Sequence, residues 1–137
     1  MSVEENIRRV THFQEAFNAR DWDRMRESFA ESVVIYDPAL PEPPQGPEAA
    51  VRMFQEFASS FPTSRVEKQH AFGQADWVCV ENEETGGRKD AHKSYRIRTC
   101  YTYRVSDEGV TQVHLYYDAL GLMTQIGMSP SEAGLEP

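Results

Sequence analysis

The sequence predicts an α+β domain: three N-terminal helices packed on a curved, mostly antiparallel sheet that encloses a pocket, forming a cone-shaped α+β barrel. The observation that predicts this fold is a change in the spacing of apolar residues along the chain. Across residues 3–60 apolar side chains recur every three or four positions, as in helices, whereas from residue 65 they alternate with polar ones, as in strands. A sheet that curls around a helix leaves a cone with one open end. The length of 137 residues suits a single domain over residues 1–137.

Three helices and one short strand are predicted in the first 60 residues. The first helix covers residues 3–18, and Asp21 is a favoured N-cap for a second helix directly after it. Residues 33–36 are β-branched or aromatic and predict a strand, which Asp37 and Pro38 end because proline cannot donate to a sheet. A proline-rich loop follows, and Pro47 suits the first turn of a third helix.

Four strands are predicted in the second half of the chain. They cover residues 65–72, 77–83, 92–105 and 110–119, joined by connections at 73–76, 85–87 and 106–109. Strands joined by such short links are antiparallel. In the third strand one face carries apolar residues and tyrosines and should contact the helices, while the other carries arginines and is either solvated or meets a second subunit. The tail at 129–137 is expected to be loosely ordered.

Composition narrows the possible partners. The chain has 14 basic and 22 acidic residues and a net charge of −8, which repels phosphate backbones and anionic lipids. We therefore expect no nucleic acid and no membrane partner, and a cytoplasmic location because the N-terminus shows neither a basic leader nor an apolar run. Cys79 and Cys100 form no C-x-x-C motif and are interpreted as reduced thiols. No metal site and no cofactor are expected.

Two aspartates are the candidate catalytic residues. Asp118 ends the last predicted strand among aromatic residues, so it either caps the helical turn predicted at 119–125 or takes part in proton transfer. Asp37 is either an Asp-Pro turn former or a second base. If both line one pocket, their repulsion would raise one pKa and produce a general acid near neutrality.

Aromatic and histidine side chains are the candidate ligand contacts. Their apolar area and polar atoms suit an aromatic or polycyclic ligand, although core packing is the better explanation for any one of them taken singly. His70 shares strand parity with Val66, and His114 shares it with Asp118, so each is expected near the pocket. The full set of predicted substrate-binding residues is Tyr36, His70, Trp77, Tyr101, Tyr103, His114 and Tyr116.

Three motifs carry a family resemblance. Residues 17–23 resemble an N-A-x-D-x-D corner between helices, and Tyr36-Asp37-Pro38 with Gly46 resembles a D-P strand end followed by a helix start. Residues 117–127 resemble a D-x-x-x-L-x-x-Q-L-G ending. With the order of elements, these motifs are similar to the nuclear transport factor 2-like superfamily, and within it to the SnoaL-like polyketide cyclase and ketosteroid isomerase group, from about Ile7 to Gly127.

The resemblance implies cofactor-independent acid-base catalysis on a hydrophobic, carbonyl-bearing small molecule, by a homodimer. As in SnoaL-like cyclases, Asp118 would drive an aldol cyclisation. As in ketosteroid isomerase, Asp37 would be the base for double-bond isomerisation, but that enzyme's two oxyanion donors fall on Phe13 and near Tyr101. The alternative is a non-catalytic ligand-binding or protein-interaction module of the same fold. Epoxide hydrolysis ranks last, because no Asp-Arg-Asp arrangement is evident.

Overall fold

The computed structural model describes residues 2–89 and 93–128, so the predicted tail at 129–137 lies outside the described residues. The α+β prediction is confirmed. The elements, in chain order, are α1 Val3–Ala19, α2 Trp22–Ser28, β1 Phe29–Tyr36, α3 Pro47–Ser60, β2 Arg65–Gln74, β3 Trp77–Gly87, β4 Ser94–Ser106, β5 Gly109–Tyr117 and α4 Ala119–Gln125.

The five strands form one sheet in the order β1-β5-β4-β3-β2. Strands β2 to β5 pair with one another in antiparallel fashion, as predicted, while β1 pairs with β5 in parallel. Because parallel strands run in the same direction, this pair brings the C-terminal end of β1 beside the C-terminal end of β5. Asp37 and Tyr117 therefore meet although 80 positions separate them.

Local capping explains where the first helices begin and end. Ser2 accepts a hydrogen bond from the Glu5 backbone N–H and starts α1. Arg20 ends α1 in the left-handed conformation, with φ of 57°, and its N–H donates to the carbonyls of the last turn. The next residue, Asp21, accepts from the Arg24 N–H and caps α2, as predicted. This compact corner sets α2 against α1.

The proline-rich loop folds back along β1. The Ile35 N–H donates to the Pro44 carbonyl, and the Gly46 N–H donates to the Val33 carbonyl. Gly46 then enters α3 with φ of 88°, a value that favours glycine, and Pro47 occupies the first turn, as predicted. The loop is thereby held beside the strand that ends at Asp37.

The predicted connection at residues 85–87 is wrong, because these residues continue β3. A side chain on Gly86 would place its Cβ 2.8 Å from the Ser64 Cα and 2.9 Å from the Tyr95 ring. Glycine therefore allows close packing of the Tyr95 ring at this point and does not mark a turn.

The helices cover only the inner face of the sheet. Alternating residues of each strand are buried there, among them Ile35, Val80, Tyr103 and Val113, and they pack against Val10 and other apolar residues of α1 and α3. The predicted tyrosine face of β4 is confirmed as this inner face. Among the described residues, no helix is long and apolar enough to cross a membrane.

Candidate functional site

A cavity of about 310 Å³ lies between α1, α3, α4 and the inner face of the sheet. This volume is at the lower end of the range usual for small-molecule sites, about 300–1,000 Å³. Most of its lining is apolar: Phe13, Phe17, Ala39, Leu40, Met53, Phe54, Phe57, Phe61, Val66, Leu115, Leu122 and Met123. The polar and ionisable lining residues are Gln14, Asp37, Glu56, Ser60, Glu84, Tyr101, Tyr103 and Tyr117.

Asp37 is half-buried at the end of β1 and presents its two carboxylate oxygens differently. Its Oδ1 accepts from the Tyr117 hydroxyl at 2.7 Å and from the Ala39 N–H at 2.9 Å. Across residues 2–89 and 93–128, no protein group donates a hydrogen bond to Oδ2. One oxygen therefore orients the carboxylate, and the other is available to a ligand in the cavity.

Glu84 is the second carboxyl group of the cavity and is only 5% exposed. Its Oε2 lies 2.8 Å from the Tyr95 hydroxyl, and its Oε1 lies 2.6 Å from the Tyr101 hydroxyl. Burial raises the pKa of Glu84, the two tyrosine hydrogen bonds oppose that shift, and the charge of Asp37 adds to it. Burial and the Asp37 charge therefore shift Glu84 toward its protonated form.

The tyrosines around both carboxyl groups stay protonated. Burial raises the pKa of Tyr117 far above its ordinary value, and the nearby Asp37 charge raises it further. For Tyr101, burial comes first and the Glu84 carboxylate second, again in the raising direction. Each tyrosine is therefore a hydrogen-bond donor and not a base at neutral pH.

A buried amide network lies beside the carboxyl pair. The Asn82 amide nitrogen donates to the Val80 carbonyl. The Oδ1 of Asn82 is left to accept from the Gln14 amide nitrogen, which lies 3.3 Å away. The Gln14 amide also donates to the Tyr103 hydroxyl at 3.0 Å. Asn82 further donates to Thr99. These bonds satisfy polar groups that would be costly to bury alone.

Three of the nine predicted site residues line the cavity. Asp37 lines it as one of the two predicted catalytic aspartates, and Tyr101 and Tyr103 line it as predicted ligand contacts. Tyr103 is fully buried, so it is chiefly a wall and network residue, whereas Tyr101 keeps part of its surface accessible.

Asp118 lies outside the cavity, which corrects its expected position. It is exposed, and its Oδ1 accepts from the Gly121 N–H at 2.8 Å as the N-cap of α4. A Cβ on Gly121 would collide with the Asp118 carboxylate, so the glycine leaves room for this cap. The structure therefore matches the capping interpretation of Asp118, and the tyrosine before it, Tyr117, faces the cavity instead.

The other five predicted contacts lie on the outer face of the sheet, which also corrects their expected position. Tyr36 and His114 stack there with ring centroids 4.5 Å apart, and His114 also contacts Trp77 and Tyr116. The inner positions of these strands hold Ile35, Val78, Val113 and Leu115. For His70 the cause is a bulge between residues 68 and 70, which reverses the strand parity that places Val66 inside.

Sequence reasoning missed Glu84, Tyr117 and Gln14. A signal for Glu84 exists: Val78 and Val80 share its parity on β3, and β4 was already predicted to turn its tyrosines inward. Because antiparallel partners share a face, Val80 opposite Tyr101 and Glu84 opposite Ile97 both belong inside. Gln14 offers a weaker signal, since it lies at helical spacing from Val10 and Phe17 on the buried stripe of α1 but is itself polar.

Among the residues that the structure describes, no group of three or more histidine, cysteine or acidic side chains is arranged to hold a metal ion. Cys79 and Cys100 are free thiols with their Sγ atoms 3.4 Å apart on the outer face. Neither thiol reaches the cavity, so the ionisable groups that a ligand meets are carboxyl and tyrosine side chains.

Comparison with known proteins places this geometry in a family context. A family model described as SnoaL-like polyketide cyclase matches residues 7–126. No curated protein sequence matches the chain. A protein of ketosteroid isomerase-like fold from Catenulispora acidiphila, solved with trimethylamine, has a TM-score of 0.82 at 20% identity, covering 94% of this chain and 97% of the other.

Two further solved structures share the fold. IdmH from Streptomyces antibioticus, a proposed polyketide cyclase, has a TM-score of 0.79 at 19% identity, covering 90% of this chain and 99% of the other. An epoxide hydrolase from M. tuberculosis, described as LEH-like, has a TM-score of 0.76 at 16% identity, covering 90% of each chain. At these identities the likeness shows the fold alone.

Proposed function

Because this chain belongs to the SnoaL-like polyketide cyclase family, we propose that it binds a hydrophobic, carbonyl-bearing small molecule and catalyses proton transfer at the carbon beside the carbonyl. Aldol cyclisation of a polyketide-like substrate is the first candidate reaction, and double-bond isomerisation is the second. One observation carries the proposal: Asp37 and Glu84 line the same apolar cavity in different settings, one with a free oxygen and one with a raised pKa.

Asp37 is the proposed base. Asp37 lines the ligand space, and its Oδ2 has no protein partner among the described residues, while Tyr117 and the Ala39 N–H hold Oδ1 in place. A carbon acid flanked by carbonyls spreads its negative charge over oxygen, so one positioned carboxylate in a largely apolar cavity is a suitable base. The reaction needs no cofactor.

Glu84 and Tyr101 are the proposed proton donors. A neutral Glu84 and its two tyrosine partners hold three protons, and only two contacts join them. Both tyrosine hydroxyls donate in these contacts, so the third proton, on Glu84 itself, is left for transfer. Glu84 and Tyr101 line the cavity and Tyr95 does not, so we assign proton donation to a substrate oxygen, or to the alkoxide of an aldol product, to the Glu84–Tyr101 pair.

Of the non-catalytic alternatives, a protein-interaction module fits the cavity less well than a ligand-binding protein does. A pure interaction module needs neither an unfilled cavity nor an ionisable group that a ligand can reach, and this cavity has both. Epoxide hydrolysis through an Asp-Arg-Asp arrangement is disfavoured as well, since no arginine belongs to the lining found within the described ranges.

Deuterium exchange at an activated carbon tests the proposal directly. We expect the protein to speed exchange of the α-protons of 2-tetralone, a bicyclic ketone, in buffered D₂O, as followed by proton NMR. Asp37→Asn should lower the protein-catalysed rate by about 10²-fold or more, the usual contribution of a positioned base. Glu84→Gln should lower it less, because Tyr101 keeps a partner that accepts its hydrogen bond.

Asp118→Asn is the matched control. It changes an exposed carboxylate that can still cap α4 as asparagine, so the exchange rate should equal that of the parent. Equal rates in the parent and in Asp37→Asn would refute the assignment of Asp37 as base.

We further propose that a second copy of the chain covers the outer face of the sheet. Tyr36, Phe72, Trp77 and Tyr116 are between 38% and 56% exposed there, an unusual concentration of aromatic surface. The same face carries Glu81 and Glu83 together with arginines, so it can pair with itself by charge. Both features suit a homodimer.

A further inference from the structure

The charges that line the cavity are of one sign. Three lining residues are acidic, namely Asp37, Glu84 and Glu56, and Asp37 and Glu56 supply the negative charge when Glu84 is protonated. None of the lining residues within the described ranges is lysine, arginine or histidine. Glu56 is exposed at the rim, and Asp37 and Glu84 lie farther in. An apolar cleft lined by one sign of charge focuses its field on the ligand space, and here that field attracts cations.

The walls of the cavity are aromatic. Phe54 meets Phe13 and Phe17 edge-on at centroid distances of 5.5 Å and 6.0 Å, and Phe57 packs at 4.8 Å from Phe61. Phe54 and Phe57 each keep part of their surface uncovered. Aromatic rings attract an ammonium group through their electron-rich faces, and the attraction grows when water is excluded.

The guanidinium of Arg20 lies against the cavity-lining Phe17 but is engaged in other contacts. The Arg20 guanidinium stacks on the Phe17 ring, 4.8 Å from its centroid, and donates to the carbonyls of Pro62 and Ser64. Arg20 is not among the lining residues. The Asp37 carboxylate therefore has hydrogen-bond donors around Oδ1 but no cationic partner among the residues that the structure describes.

We infer that the cavity is a binding site for protonated amines carried on an apolar body, with the ammonium at Asp37 Oδ2 and the apolar part against the phenylalanines. The same field repels carboxylates, so the cavity discriminates between ligands by charge. This inference uses the cavity of the proposed enzyme, but it does not rest on catalysis, and an amine without a carbonyl group would occupy the site as a competing ligand.

Three naphthalene probes of similar size test the inference, by calorimetric titration of the full chain. They are 2-naphthylmethylamine, protonated at neutral pH, the uncharged 2-naphthalenemethanol, and the anion 2-naphthoate. We expect the amine to bind about tenfold more tightly than the alcohol, as a partly desolvated cation–π and charge interaction allows. The carboxylate should bind more weakly than the alcohol.

Asp37→Asn should remove most of the advantage of the amine over the alcohol, because it keeps the shape of the side chain but removes its charge. Asp118→Asn, which changes a carboxylate outside the cavity, should leave the order of the three probes intact. The order in the parent protein is itself decisive: equal affinities, tightest binding of the carboxylate, or no measurable binding of the amine would each overturn the inference. Because deuterium exchange is measured with an uncharged ketone, the catalytic proposal and the amine-binding inference are tested by separate experiments. Either one can therefore fail without the other.

Discussion

The inner face of the sheet carries tyrosines whose hydroxyls are hydrogen-bonded, whereas the outer face carries aromatic rings that stack on histidines and stay exposed. Inside, Tyr95 and Tyr101 bond to Glu84, and Tyr117 bonds to Asp37. Outside, Tyr36 and Tyr116 stack on either side of His114. Residue type alone therefore does not distinguish the two faces. The difference lies in whether the helices cover the ring, because a covered hydroxyl needs a polar partner within the fold.

Adjacent residues of β1 give the largest test of this comparison. Ile35 is fully buried on the inner face, while Tyr36 is 42% exposed on the outer face. We expect Ile35→Ala to lower the free energy of unfolding by about 3 kcal/mol, because it leaves a cavity in a packed core. Tyr36→Ala should cost less than about 1 kcal/mol, chiefly its stacking on His114. Urea denaturation measures both, and equal losses would contradict the assignment of the faces.

Adjacent residues of β3 give a test that depends on pH. Glu84 has a raised pKa in the folded protein, so the folded state binds its proton more tightly than the unfolded state does. The stability from that proton is complete below the unfolded pKa, near 4.5, and is lost as pH rises through the folded pKa. Between these two pKa values of Glu84, the free energy of unfolding falls at a rate that approaches about 1.4 kcal/mol per pH unit. Glu84→Gln should flatten this dependence.

Glu83→Gln is the control for that measurement. Glu83 points outward and pairs with the exposed Arg96, so its replacement should change stability by less than about 1 kcal/mol and leave the pH dependence in place. Unfolding curves at several pH values between 4.5 and 7 compare both variants with the parent. If Glu84→Gln keeps the slope of the parent, the carboxyl is not held neutral by burial.

The smallest expected effect concerns association through the outer face. Tyr116→Glu places a charge on a half-exposed ring position and should weaken the proposed homodimer by about tenfold or more, or about 1.4 kcal/mol. Sedimentation equilibrium at micromolar concentration measures it. Leu120→Glu is a matched control, since Leu120 is 55% exposed on α4, outside the sheet. A parent chain that sediments as a monomer would contradict the proposal.

Much of the fold was predictable because it depends on local patterns. The three helices, the Asp21 cap, the Pro47 start and the four later strands follow from periodicity and from capping chemistry that neighbouring residues supply. The tyrosine face of β4 was predictable for the same reason, since its alternation is long and regular. Gly86 misled because glycine serves turns and close packing alike, and only the position of Tyr95 distinguishes the two uses.

The site was less predictable because a carboxyl group acquires its chemistry from residues distant in the chain. Asp37 was recognised as a candidate, but the partner that orients it is Tyr117, brought there by the parallel pairing of β1 with β5. Asp118 was the stronger candidate by motif. However, the neighbouring residue, Tyr117, is the one that lines the cavity, while Asp118 is exposed and caps α4. A parity error of one position exchanges the two faces of a strand.

By itself, the sequence determined the α+β class, the order of the elements and the family, because periodicity and short motifs are properties of contiguous residues. Tertiary structure alone decided which of the acids share a cavity. The register of β3 on β4 sets Glu84 among tyrosines, the bulge in β2 turns His70 outward, and the helices bury one face of the sheet. Burial and cross-strand neighbours set the ionisation of a carboxyl group, and both arise only when distant segments meet.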